Sequence, residues 1–150
     1  MLFCFYSPSS LKLKYKQMQS EQLVQKISKL LSLQTDLELA WIYGSYASGR
    51  QTDQSDIDIA VAGNTPLTTE RRLELSEQLT QVTHKEIDLV DLQAAHGIIF
   101  SQVLTLGKLV VNKNSPLYAQ LIKRMWFDRA DFWPQRSQLF SNLRKRAFES

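Results

Sequence analysis

Cysteine, histidine and long apolar runs are scarce in this 150-residue chain. The single cysteine, Cys4, excludes an intrachain disulfide and is compatible with a reducing compartment, so we expect a cytoplasmic protein. With one cysteine and two histidines, no zinc-ligand cluster is indicated. No apolar run approaches the roughly 20 residues needed to cross a bilayer, and the short apolar start lacks a basic residue before it. We therefore expect neither a membrane span nor a signal peptide.

Length and residue balance predict a single globular domain, since 43% of the residues are hydrophobic and 22% are charged. The net charge of +3 is unevenly distributed, with −4 over residues 21–119 and +4 over residues 120–150. An acidic middle beside a basic end could attract a nucleotide or an acidic partner, although a solvated basic helix explains the basic end equally well. No extended basic groove is evident, so direct nucleic-acid binding is not expected.

The apolar spacing divides the chain into three parts. We predict a flexible arm over residues 1–19, a domain over residues 20–134, and a basic amphipathic tail over residues 135–150. The domain should begin with a helix capped by Ser20. The tail either folds back on the domain or docks on a partner through its apolar face.

Within the domain, strands are predicted near residues 39–43, 57–61 and 86–92, with a helix between the last two of them. A further helix is predicted over residues 93–106 and should end at Gly107. Its expected buried residues are Ile98, Ile99, Val103 and Leu106.

The stretch from Trp41 to Val61 carries the most chemistry. An apolar strand ends at Gly44-Ser45, where a glycine lets the backbone approach a ligand and a hydroxyl could hold a phosphate oxygen. Asp56 and Asp58 then alternate with apolar residues, which puts both carboxylates on one face of a strand, about 6.6 Å apart along the chain. Adjacent carboxylates repel, and a hard cation such as Mg²⁺ would relieve that repulsion. An edge strand with water-facing acids is the competing interpretation.

Gly44-Ser45, ten intervening residues and Asp56-Ile57-Asp58 together resemble the signature of the DNA polymerase beta-like nucleotidyltransferase superfamily. Within that superfamily, the chain looks similar to the minimal nucleotidyltransferases, most closely over residues 39–92. The resemblance implies an α/β (α+β) fold with a small mixed β-sheet and flanking helices. It also implies ATP as substrate and two Mg²⁺ ions as cofactors.

The resemblance assigns roles to particular residues. Asp56 and Asp58 would be catalytic and would bind the metal ions, while Gly44 and Ser45 would hold the nucleotide's phosphates. Family members carry a third carboxylate on the neighbouring strand, and Asp88 is the closest match to it. Asp91 is the alternative, although as the last polar residue of the strand it could equally cap the next helix.

One position departs from the family pattern. Related sequences often carry an arginine where this chain has Ser48. Arg50, which follows Gly49, is the candidate for reaching the phosphates instead.

Minimal nucleotidyltransferases of this kind are typically antitoxins paired with a HEPN-domain ribonuclease toxin. The resemblance therefore implies transfer of AMP from ATP to a tyrosine hydroxyl of the toxin, with release of pyrophosphate and loss of RNA cleavage. Two alternatives remain at this point: an antitoxin that acts by binding alone, and a nucleotidyltransferase that modifies a small molecule. Replacing both Asp56 and Asp58 by Asn would abolish the first mechanism and largely spare inhibition by binding.

Overall fold

A computed structural model describes residues 8–130 as a four-stranded sheet with helices on both faces. The elements in chain order are α1 Pro8–Ser32, β1 Leu39–Tyr43, α2 Gly44–Ser48, β2 Ile57–Ala62, α3 Thr69–Thr83, β3 Ile87–Asp91, α4 Gly97–Leu106 and β4 Lys108–Asn112. A last helix, α5, covers residues 115–130. The predicted tail over residues 135–150 and the predicted domain end at residue 134 lie outside the described residues.

The sheet is mixed and its strands follow the order β3-β2-β1-β4. β1 is antiparallel to both β2 and β4, whereas β2 and β3 are parallel. The three strands predicted from the sequence are confirmed, as is the predicted small mixed sheet with flanking helices. Because β2 and β3 run in the same direction, the residues that begin them lie at one edge of the sheet, next to the end of β1.

Alternating side chains along the strands fill a core on each face of the sheet. On one face, α1 and α3 cover the buried residues Ala40, Ile42, Ile57, Ile59 and Val61. On the other face, α4 and α5 cover Leu39, Trp41, Ala60 and Ala62, with Phe100 and Leu121 among the helix residues that pack there. Tyr43 and Asp58 belong to this second face by their alternation.

The predicted start of the first helix at Ser20 is wrong. α1 begins at Pro8, so residues 8–19, which were predicted to belong to a flexible arm, are helical and largely exposed. Proline fits the first turn of a helix, and no glycine or further proline interrupts the chain before Ser32. Ser20 serves another purpose, because its hydroxyl accepts a hydrogen bond from Gln51 Nε2 at 3.3 Å.

The helix predicted over residues 93–106 starts later and buries a different face. α4 begins at Gly97, and its buried residues are Phe100, Val103 and Leu104. Ile98, Ile99 and Leu106, which were predicted to be buried, are exposed. Residues 98–100 are all apolar, so their spacing alone did not decide which side of the helix faces the sheet.

Arg71 on α3 joins that helix to the loop before β1. Its guanidinium donates to both carboxylate oxygens of Asp36, at 2.7 and 2.9 Å, and to Gln34 Oε1 at 2.7 Å. This ion pair holds the pKa of the Asp36 carboxyl below its ordinary value. No helix within residues 8–130 is both long enough and apolar enough to cross a membrane.

Candidate active site

Gly44 brings the backbone against an acidic side chain where β1 turns into α2. Its φ of 65° lies in the left-handed region, and a Cβ atom added there would collide with the Asp58 carboxylate. Gly49, with a φ of 72°, ends α2 and donates its N–H to the Ser45 carbonyl. α2 is therefore a single short helix that begins at one left-handed glycine and is capped by another.

Strand pairing brings together two of the three predicted acids. Asp58 on β2 is the register partner of Asp88 on the parallel strand β3, so the two side chains leave the same face of adjacent strands. Asp56 lies two residues before Asp58, just ahead of β2. Asp56 and Asp88 are exposed, whereas Asp58 is partly buried.

Burial and like charge act together on Asp58. Burial raises the pKa of its carboxyl, and the charges of Asp88 and Asp56 raise it further. Because Asp88 and Asp56 both act on Asp58, the ionised form of Asp58 is unfavourable in the free protein. A bound cation would reverse that effect, because it attracts all three carboxylates.

The acids line an open site and do not form a closed metal cage. Within residues 8–130, no group of three or more His, Cys, Asp or Glu side chains is arranged so that it could hold a metal ion by itself. Mg²⁺ commonly takes one or two carboxylates and completes its coordination with water and substrate phosphates. The carboxylate oxygens of these acids, with the pKa of Asp58 raised, fit such an ion.

Ser45 lies in α2 next to Gly44, and Arg50 follows the residue that caps this helix, Gly49. The Ser45 carbonyl also accepts the Arg50 N–H at 3.0 Å, so the two residues are fixed relative to each other through the backbone. Ser45 is half-buried, and Arg50 is exposed and makes no ion pair within the described part of the chain. Both side chains are therefore available to a bound anion.

The loop from α2 to β2 is anchored at both ends. Gln51 reaches Ser20 on α1, and Lys85 Nζ donates to the Asp53 carbonyl at 2.8 Å. The Ile57 N–H donates to the Glu86 carbonyl at 2.9 Å, which aligns the starts of β2 and β3. These contacts fix the segment that joins Arg50 to Asp56.

Asp91 has a structural role. Its side chain is only 3% exposed and accepts hydrogen bonds from the N–H groups of Leu67, at 2.7 Å, and Gln93, at 2.9 Å. Its register partner is Val61, so it lies three residues beyond the acidic edge. Of the two candidates left open by the sequence, Asp88 is the one that the fold pairs with Asp58.

Sequence reasoning missed Tyr43 as a residue of this site. It is the last residue of β1, it pairs with Asp58, and it is 7% exposed. Its buried hydroxyl has no hydrogen-bond partner within residues 8–130. Burial, followed by the charges of Asp88 and Asp58, raises the pKa of Tyr43 to about 12, so the hydroxyl keeps its proton at neutral pH. The only indication in the sequence was a side chain with a hydroxyl group at the end of an otherwise apolar strand.

Residues 25–116 match the sequence profile of the family described as polymerase beta, nucleotidyltransferase. This match covers more than half of the chain. The chain belongs to the polymerase beta nucleotidyltransferase family. Among curated relatives of this nucleotidyltransferase, the protein adenylyltransferase MntA of Shewanella oneidensis is 39% identical over 85 residues, which are 54% of this chain and 61% of MntA. The match thus spans less than two thirds of that relative's length.

Two solved structures share the nucleotidyltransferase's fold. One is a toxin–antitoxin with AMP-PNP, in which the matched chain is 30% identical with a TM-score of 0.65, covering 78% of this chain and 98% of the other. The second is a tri-AMPylated Shewanella oneidensis HEPN toxin in complex with an MNT antitoxin. Its matched chain is 26% identical with a TM-score of 0.66, covering 83% of this chain and 98% of the other.

Proposed function

We propose that this nucleotidyltransferase is an antitoxin that transfers AMP from ATP to a tyrosine hydroxyl of a HEPN ribonuclease toxin. The transfer releases pyrophosphate and blocks RNA cleavage by the toxin. The observation that carries the proposal is the pairing of Asp58 with Asp88 directly beside Gly44, which supports a phosphate-transfer site at this edge of the sheet. Similarity to chains from toxin–antitoxin complexes supports the choice of acceptor.

The reaction is an in-line displacement at the α-phosphorus of ATP. The tyrosine oxygen forms a new bond to that phosphorus, the bond to the β-phosphate oxygen breaks, and the leaving group departs as pyrophosphate. Asp88 is the proposed base that accepts the hydroxyl proton, since it is exposed and lies next to Asp58. Ser45 and Arg50 are the proposed contacts to the leaving phosphates, with Gly44 allowing the nucleotide to approach the backbone.

Asp56, Asp58 and Asp88 are the proposed ligands of two Mg²⁺ ions. When bound, the ions neutralise charge on the phosphates and lower the pKa of the attacking hydroxyl. The raised pKa of Asp58 and the mutual influence of the three carboxylates support this assignment. We therefore propose that activity depends on Mg²⁺ and is lost on chelation.

Two further parts of the proposal concern the extent of the catalytic unit and the location of the protein in the cell. We propose that the catalytic unit lies within residues 20–134, a range that contains the family match over residues 25–116. We also propose a cytoplasmic location, with which the single cysteine and a toxin substrate that cleaves cellular RNA are compatible.

An ATP-dependent inhibition assay tests the function. The HEPN toxin is incubated with this protein and Mg²⁺, with or without ATP, and its RNA cleavage is then measured. Covalent inactivation predicts inhibition that requires ATP and fails for the Asp56→Asn/Asp58→Asn variant. Equal inhibition without ATP, or by the double variant, would instead indicate an antitoxin that acts by binding alone.

A further inference from the structure

Tyr43 lies in the row of side chains that forms the acidic edge. It ends β1 opposite Asp58, and Asp58 is paired in turn with Asp88 on the far side of β2. The three side chains therefore project from one face of three adjacent strands, about 4.8 Å apart from one strand to the next. The charges of Asp88 and Asp58 both act on the Tyr43 hydroxyl. Because the Asp58 carboxylate lies against Gly44, we consider Asp88 as the acceptor for this hydroxyl.

The hydroxyl is buried without a partner. Tyr43 is 7% exposed, and within residues 8–130 its Oη makes no hydrogen bond. Buried polar groups in folded proteins are almost always paired, so an unpaired one needs a reason. The charged groups that act on it are the carboxylates of Asp88 and Asp58. Ionised carboxylates only accept hydrogen bonds, and a protonated phenol is a suitable donor to them.

We propose that Tyr43 is a positioning residue whose hydroxyl donates to the Asp88 carboxylate in the state that holds metal and nucleotide. The inference rests on the proposed function, because it assigns Tyr43 to the carboxylate that accepts the proton of the attacking hydroxyl. One Asp88 oxygen would face the site and the other would accept from Tyr43, which fixes the rotation of the carboxylate. Groups that orient metal-binding carboxylates in this way commonly affect metal affinity or activity by about 10- to 100-fold.

The Tyr43→Phe variant removes the hydroxyl and leaves the ring in the core. Tyr118→Phe is the matched control, since Tyr118 packs against Trp41 in the same core cluster, with 6.1 Å between ring centroids. Three quantities are compared with the unmodified protein: the melting temperature without ligands, the affinity for Mn²⁺ in the presence of AMP-PNP, and kcat and KM for AMP transfer to the toxin.

For Tyr43→Phe we expect an unchanged or higher melting temperature, because a buried unpaired hydroxyl is lost. Mn²⁺ affinity and kcat should each fall about tenfold or more, with KM for ATP unchanged. Tyr118→Phe should change neither the affinity nor kcat. Mn²⁺ affinity and kcat equal to those of the unmodified protein would overturn the proposal, as would equal losses in both variants.

A double-mutant cycle identifies the acceptor of the hydrogen bond. If Tyr43 acts through Asp88, adding Tyr43→Phe to Asp88→Asn should cause no further loss of Mn²⁺ affinity. A full additional tenfold loss in the double variant would overturn the assignment to Asp88. This cycle does not depend on toxin modification. Failure of the unmodified protein to transfer AMP would therefore refute the proposed function, whereas Tyr43 would still be judged by metal affinity.

Discussion

Substituting Gly44 by Ala places a methyl group at the point where the backbone meets the acidic edge. The φ of 65° is unfavourable for any residue with a Cβ atom, at a cost of roughly 1–2 kcal/mol. The added Cβ would also collide with the Asp58 carboxylate, so that side chain must rotate or β2 must shift. The substitution therefore combines a stability loss with a displaced Asp58 carboxylate, which is a proposed metal ligand.

The two effects have different sizes. Backbone strain alone lowers the free energy of unfolding by about 1–2 kcal/mol, which leaves a typical domain folded at 25 °C. A displacement of about 1 Å in a group that holds the reacting atoms costs on the order of 100-fold in rate. We expect Gly44→Ala to reduce kcat by about 100-fold or more while the protein remains folded.

Gly49→Ala is the matched control, because Gly49 has a φ of 72° and a Cβ added there meets nothing within 4 Å. It should cost a similar amount of stability and leave Asp58 in place. Urea denaturation measures the free energy of unfolding of each variant, and AMP transfer to the toxin gives kcat. Equal activity losses in the two variants would refute the collision with Asp58 as the cause.

Four further substitutions test the charged residues. Burial and neighbouring acids raise the pKa of Asp58, so its ionised form destabilises the folded protein. Asp58→Asn should therefore raise the melting temperature near pH 7. It should not raise it at about pH 3, which is below the ordinary pKa of 3.8. Asp88→Ala should abolish AMP transfer with little loss of stability. Asp91→Ala should instead lower the free energy of unfolding by about 2–3 kcal/mol, because two N–H groups lose their acceptor. Arg71→Ala should lower the free energy of unfolding by about 0.5–1 kcal/mol near pH 7. The loss should be smaller at about pH 3, because the pairing with Arg71 is what lowers the pKa of Asp36.

Each of these expectations has a contrary result. A stability gain for Asp58→Asn that persists at about pH 3 would exclude charge repulsion as its origin. AMP transfer by Asp88→Ala, or loss of transfer by a folded Asp91→Ala, would reverse the assignment of the third carboxylate. If Arg71→Ala lowers the free energy of unfolding by the same amount at both pH values, the ion pair with Asp36 is not responsible for the loss.

Much of the sheet and the acidic pair could be predicted because their signals are local. The alternation around Asp58 and the apolar run before Gly44 each define a strand within a few residues. Asp88 was distinguishable from Asp91 only through the family pattern, since both acids lie in one short strand. The parallel register with β2 supplies the physical reason, because it pairs Asp88 with Asp58 and Asp91 with Val61.

The errors have non-local causes. Residues 8–19 contain no strong apolar stripe towards the core, so the sequence did not indicate that α1 continues back to Pro8. For α4, which is apolar on several sides, only packing against Trp41 and its neighbours selects Phe100 over Ile98 for burial. Tyr43 was hidden in an apolar strand, because the importance of its hydroxyl depends on acids 15 and 45 positions later along the chain.

The edge formed by Gly44, Asp58 and Asp88 is the proposed site of AMP transfer to the toxin. Intact-mass analysis of the HEPN toxin after incubation with this protein, ATP and Mg²⁺ tests it most directly, with the Asp56→Asn/Asp58→Asn variant in parallel. We expect the toxin to gain whole AMP units with the unmodified protein and none with the variant. An unmodified toxin mass in both reactions, with RNA cleavage nevertheless inhibited, would contradict this proposal.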